Sequence, residues 1–388
     1  MKSLPLVLAW LACGTPPTPR APASDVAAGE WALVATLASD ALEGRAPGSE
    51  GSRKARQAII AELTRCGVRP GAGAAFERAI DPGTGPAVNV FGLVEGSEPE
   101  RRIVLSAHYD HLGIVGGEVM NGADDNAAAV GSIVKVACAI AAGPKPRASL
   151  LVAFWDAEEP PSFLGPAMGS RAWVADPHVP LASIEAAIVL DLVGGGLWPG
   201  SPVHVALGAE SAPALAAVID QTAAPDGLVV QRAGLHLVEN LVTTPGDGRQ
   251  PWSDYDAFRR AEVPFVFLSN GQTAHYHTAG DDFATLDLAK LSRQTVWLTR
   301  VVDTLVTGPR EAAPRWAPRS EPELDRQAAR RLVAGALASK RFEAQRGVLE
   351  ADLSTLADAP STRALRAAVQ RVQCLAAGHY PPAACARL

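Results

Sequence analysis

Four apolar runs in this chain end in side chains able to hold a metal or move a proton. Residues 103–107 lead into His108-Tyr109-Asp110-His111, residues 149–155 into Asp156-Ala157-Glu158-Glu159, and residues 186–190 into Asp191. Residues 264–268 are followed by His275-Tyr276-His277. Between the first two lies Gly122-Ala123-Asp124-Asp125-Asn126, a turn ahead of a small, apolar stretch. Imidazole and carboxylate without cysteine suit a catalytic Zn2+, Mn2+ or Co2+ rather than a structural zinc. The set is large enough for two ions sharing a bridging carboxylate, and it leaves one carboxylate over. A spare carboxylate is what metal-assisted hydrolysis needs as a general base.

Such groups act together only if the chain brings them to one place. Residues 89–94, 103–107, 149–155, 186–190, 203–207 and 264–268 read as short apolar strands. They alternate with helical patterns. Ala55, Ile59, Ile60 and Leu63 form an apolar face that stops at Gly67, residues 127–141 read as a buried helix, and residues around 169–174 as a helix. Short continuous strands between helices indicate a three-layer αβα sandwich with a mixed, mostly parallel central sheet. In such sheets the site lies beyond the carboxyl ends of the strands, where these polar groups sit. No internal repeat, GxGxxG loop, P-loop or GxSxG elbow is present.

The pieces Ser39-Asp40-Ala41-Leu42-Glu43-Gly44-Arg45, Ala107-His108-Tyr109-Asp110-His111-Leu112-Gly113 and Gly122-Ala123-Asp124-Asp125-Asn126 appear in that order. Glu158-Glu159, Leu190-Asp191-Leu192, Ser253-Asp254 and Tyr276-His277-Thr278 follow. Together they resemble the co-catalytic dizinc aminopeptidase family, relatives of glutamate carboxypeptidase, glutaminyl cyclase and the catalytically dead transferrin receptor ectodomain. The resemblance covers roughly residues 30 to 306. It implies two Zn2+, with Co2+ or Mn2+ as substitutes, and a peptide substrate with a free N-terminus. His108 and Asp191 would bind one zinc, Glu159 and His277 the other, and Asp125 both, so that neighbouring Asp124 is not a ligand. Glu158 would take a proton from the attacking water and deliver it to the leaving amine. Asp110 would hydrogen-bond His108 from behind, and Tyr276 would polarise the scissile carbonyl. A glutaminyl cyclase-like acyltransferase is the alternative enzyme, and a non-catalytic binding ectodomain of the same fold a third reading.

The chain departs from the family pattern after Glu159, where the run from Pro160 to Ser170 is longer than the usual turn and should alter one wall of the pocket. There is no room for an inserted domain between Asn89 and His108. His111 and His275 read as outer or surface residues, and Asp254 and Asp256 as structural groups near the pocket. His178, His204, His236 and His379 read as structural or exposed, and Trp155 as packing. Cys66 and Cys138 read as small core residues.

Residues 1–25 read as a signal and tether. Lys2 precedes a short apolar stretch ending Trp10-Leu11-Ala12-Cys13-Gly14, which resembles a lipobox, and Thr15 to Ser24 carries four prolines. This predicts an exported protein, anchored to the cell envelope through a lipid on Cys13, or cleaved elsewhere and released. Residues 26–308 form the expected catalytic domain. Residues 309–388 form a linker and a helical extension, expected as an α-hairpin. Its first helix starts at Ser320-Glu321-Pro322-Glu323, with capping-box spacing, and its second covers 362–377. Cys374 and Cys385 lie close enough in sequence to form a disulfide. The chain has 388 residues, 48% hydrophobic and 20% charged, with a net charge of −6. That balance excludes wholesale disorder and argues against a nucleic-acid partner. No apolar run reaches the ~20 residues that cross a bilayer.

Overall fold

The computed structural model describes residues 29–80, 87–239, 250–357, 360–378 and 381–387. The expected signal, Cys13 and His379 lie outside the described residues. The strands are β1 (Arg69–Pro70), β2 (Glu77–Ile80), β3 (Ala87–Val94), β4 (Glu98–His108), β5 (Ile114–Val115), β6 (Glu118–Val119), β7 (Ala148–Trp155), β8 (Ile184–Leu190), β9 (Val203–Leu207), β10 (Val229–Ala233) and β11 (Phe265–Ser269). The helices are α1 (Ala32–Leu37), α2 (Glu50–Arg65), α3 (Ala128–Ala142), α4 (Gly169–Ala175), α5 (Pro213–Gln221), α6 (Tyr255–Arg260), α7 (Leu288–Thr307), α8 (Pro322–Ala338), α9 (Arg346–Thr355), α10 (Thr362–Ala377) and α11 (Pro382–Cys385).

The main sheet has the order β1-β3-β7-β4-β8-β11-β9-β10, with β2 also pairing with β3. Its four central strands, β7, β4, β8 and β11, are mutually parallel, and antiparallel pairs flank them. Strand side chains alternate between two cores, as a sheet buried on both faces requires. Ile103, Leu105, Leu150, Val152, Ile188 and Val266 meet α2, α3, α5 and α7. Val104, Leu151, Ala153, Val189, Phe265 and Phe267 meet α4, α6 and the C-terminal helices. The architecture is the expected three-layer sandwich.

Local chemistry sets the helix ends. Helix α2 starts at Ser49, whose hydroxyl accepts from the Ser52 amide, and it stops in a Schellman turn. There Val68 N–H bonds Leu63 O, Gly67 N–H bonds Thr64 O, and Gly67 takes φ +79°. Among the described residues one helical segment, Ala123–Ala142, is long and apolar enough to cross a membrane, but it packs against the sheet as core. Gly131 in it admits the α1 side chains, since a Cβ there would lie 2.3 Å from Val34.

Three expectations are corrected. Cys66 and Cys138 form a disulfide joining the end of α2 to α3, rather than standing as separate core thiols. Sequence spacing gave no hint, because the pairing depends on how two distant helices pack. The C-terminal extension is more than a hairpin, because α9 lies between α8 and α10. Ser320 does not cap α8 either: the cap position is Glu321, whose carboxylate pairs with Arg232, while Glu323 turns to Arg326 and Gln327. The extension shares the second core with the sheet through Ala329, Val333, Val369 and Val372. Cys374 and Cys385 are disulfide-bonded.

Candidate metal centre

Because β7, β4, β8 and β11 are parallel, their carboxyl ends lie on one edge of the sheet, and the polar sequences following them converge there. His108 is the last residue of β4. Glu158 and Glu159 follow β7, Asp191 follows β8, and the segment after β11 reaches His277. Asp125 lies in the turn leading into α3. His108, Asp125, Glu158, Glu159 and Asp191 are buried, while the His277 side chain is 29% exposed and forms the open wall. The Tyr276 ring stacks on it at 3.8 Å.

The spacings sort the donors into two sets. His108 Nε2 lies 3.3 Å from Asp125 Oδ1 and 3.4 Å from Asp191 Oδ1. His277 Nε2 lies 3.3 Å from Asp125 Oδ2 and 3.3 Å from Glu159 Oε2. Two donors bound tetrahedrally to one zinc at its usual bond lengths stand about 3.3–3.4 Å apart. The donor set therefore fits zinc on both sides of Asp125, which offers one oxygen to each. His111 also reaches the cluster, with Nδ1 2.8 Å from Glu159 Oε1. His275 is exposed.

Glu158 faces the same space with different surroundings. Its Oε2 is 4.0 Å from His108 Nε2, and its Oε1 has no hydrogen-bond partner. Burial raises its carboxyl well above the usual range. His108 opposes that shift, and Asp254, Asp191 and Glu159 add to it. Asp254, just ahead of α6, is fully buried with neither oxygen hydrogen-bonded, and burial pushes its pKa to about 7. Asp256 has a different role, collecting Arg171, Arg259 and Arg260.

Supporting groups hold the donors. Asp110 does so differently from the expectation. The His108 Nδ1 contact is to the Asp110 main-chain oxygen at 3.2 Å, and the carboxylate, at 3.6 Å, is beyond hydrogen-bond range. Its two oxygens accept instead from the amides of Glu158 and Glu159, each at 3.2 Å, so one residue ties the β4 and β7 loops together. Arg45, quoted above only as part of a motif, is buried and donates to the carbonyls of Leu37, Tyr109, Asn121 and Gly122. It thereby locks the loops carrying His108 and Asp125. Asp281 accepts from the amides of Asp124 and Asp125, and Asp124 from those of Gly194 and Gly195. Asp124 thus positions the loop after Asp191 rather than facing the donors. Asp281 was missed in the sequence, where its only signal is a carboxylate four residues beyond His277.

The sequence model of peptidase family M28 matches residues 89–301, more than half of the chain and all of the converging donors. The chain belongs to peptidase family M28. As an M28 protein it is a metallopeptidase by family, and its donor set suits the family's zinc. No curated protein sequence matches it. Solved structures do resemble it. The glutaminyl cyclase of Porphyromonas gingivalis is 21% identical with a TM-score of 0.56, over 71% of this chain and 97% of that one. The LapA aminopeptidase of Legionella pneumophila is 15% identical with a TM-score of 0.55, over 73% and 72%. A Zn-dependent exopeptidase from Parabacteroides distasonis is 18% identical with a TM-score of 0.53, over 73% and 98%. At these identities the likeness is one of fold, which this aminopeptidase and this glutaminyl cyclase share.

Proposed function

We propose that this protein is an exported, two-zinc aminopeptidase that removes N-terminal residues from peptides. The observation that carries the reading is Asp125, whose two oxygens stand at zinc-ligand spacing from His108 on one side and His277 on the other. One zinc would be held by His108, Asp125 and Asp191, the other by Asp125, Glu159 and His277. When bound, zinc supplies the Lewis acidity that makes water a nucleophile at neutral pH and polarises a carbonyl. Glu158 accepts a proton from the attacking water at its free Oε1. As the carbon–nitrogen bond breaks, Glu158 returns that proton to the departing amine, and the water oxygen remains on the new carboxylate. A carboxyl with a raised pKa suits both halves of that exchange. Tyr276, beside His277, orients the scissile carbonyl. A free α-amine on the substrate would bind beside Glu158 and Asp191, which would separate an exopeptidase from an endopeptidase.

Export is supported by the two disulfides, which persist in oxidising compartments. They use four of the five cysteines and leave Cys13, in the lipobox-like segment, without a cysteine partner in this chain. The reading is tested by metal analysis. The isolated protein should carry two equivalents of zinc, lose its activity with a strong chelator, and recover it with Zn2+ or Co2+. Full activity in a verified metal-free sample overturns it.

A further inference from the structure

Glu159 offers its two oxygens to different neighbours. Oε2 is 3.3 Å from His277 Nε2, the spacing of two zinc donors, which is about 3.3 Å. Oε1 is 2.8 Å from His111 Nδ1, the spacing of a hydrogen bond. His111 is fully buried. Its Nδ1 lies 3.9 Å from Asp125 Oδ2, out of bonding range, and its Nε2 has no partner. The ring is walled in. It packs edge-on against His277 at 5.8 Å between centroids, and Gly122, at φ +55°, leaves room for it, since a Cβ there would lie 2.5 Å from the His111 Cγ.

We propose that His111 is a positioning residue for the zinc on the His277 side: it donates its Nδ1 proton to Glu159 Oε1 and so presents Oε2 to the metal. The inference rests on the two-zinc reading above. The contact requires a proton on His111 Nδ1. Without it the Glu159 carboxylate is free to rotate away from His277, and that side alone loses hold of its ion. No hydrogen bond or ion pair joins His111 to His108 or Asp191, so their zinc is unaffected.

Two variants of the full-length protein separate positioning from ligation and from packing. His111→Asn places an amide nitrogen close to the Nδ1 position, able to donate to Glu159 but a poor zinc ligand. His111→Ala removes both the donor and the ring. The readout is zinc retained against graded concentrations of a competing chelator, with the visible absorption of the Co2+-loaded proteins as a second signature. His111→Ala should bind one equivalent about 10–100-fold more weakly and keep the other as wild type does, whereas His111→Asn should stay within about threefold of wild type. Retention of the intact equivalent shows that the variant is folded. The proposal is overturned if His111→Ala holds both ions as wild type does, or if His111→Asn loses the ion as readily as His111→Ala. A wild type holding a single equivalent contradicts the two-zinc reading instead. The proposal then stands or falls on whether that equivalent weakens in His111→Ala and is rescued in His111→Asn.

Discussion

Glu158 and Glu159 are adjacent in sequence and opposite in surroundings. His111 and His277 bracket the Glu159 carboxylate, whereas Glu158 keeps one oxygen unbonded. That difference assigns the roles of base and ligand, and it can be tested by substitution. Glu158→Gln keeps the shape and removes the base, so kcat should fall by at least ~10²-fold while zinc content is unchanged. Asp125→Ala should lose zinc as well as rate. Loss of zinc from Glu158→Gln, with zinc retained in Glu159→Gln, would mean that the two glutamates have exchanged roles. The polar cluster was legible from the sequence, because metal chemistry restricts residue types and the strands restrict their placement, whereas the choice of Asp125 over Asp124 and of Glu159 over Glu158 as donors came from the family resemblance. Their supports were not. Arg45 acts through main-chain carbonyls, and Asp281 through main-chain amides, and such contacts leave no mark on the partner's residue type.

The elements that matter most to the site are the loops leaving the parallel strands, and each is tied to a neighbour. Asn270, just after β11, donates to the carbonyls of Val193 and Gly195 and accepts from His204 and Gln294, pinning the loop beyond Asp191. Burial lowers the His204 pKa to about 4. Between that value and about 6.5, the unfolded chain binds a proton that the folded one refuses. The stability His204 contributes above about pH 6.5 is therefore lost as pH falls towards 4, by up to about 3 kcal/mol. His204→Asn should flatten the fall in melting temperature between pH 6.5 and 4.5, and parallel wild-type and variant curves would contradict this. The central strands were legible because a strand buried on both faces is a continuous apolar run. Helix α7 was not among the helices read from the sequence, although it carries a regular stripe, with Leu291, Leu298, Val301, Val302 and Leu305 buried. Strands β1 and β2 are short, and their alternation of exposed and partly buried residues carries little signal.

At the scale of the whole molecule, the sheet, its two helical layers and the C-terminal helices are held as one body by shared cores and by cross-links the spacing did not reveal. The Cys66–Cys138 bridge spans 72 residues, and closing a loop of that length restricts the unfolded chain by about 4 kcal/mol. Arg232, on the edge strand β10, joins Asp220 at the end of α5 to Glu321 at the start of α8, and Asp325 of α8 accepts from the Gly234 amide. If Cys13 carries a lipid, Cys13→Ala should release the protein from membranes or block its maturation. An unchanged soluble fraction, with a mature N-terminus downstream of residue 13, would indicate ordinary secretion. The most direct measurement offers the zinc-loaded protein leucyl and alanyl amides, their N-acetylated forms, and a peptide with N-terminal Gln. Hydrolysis of the free aminoacyl amides, near-inert acetylated forms and at most trace pyroglutamate are expected, whereas cyclisation of the Gln peptide with no hydrolysis across the aminoacyl panel would contradict an aminopeptidase.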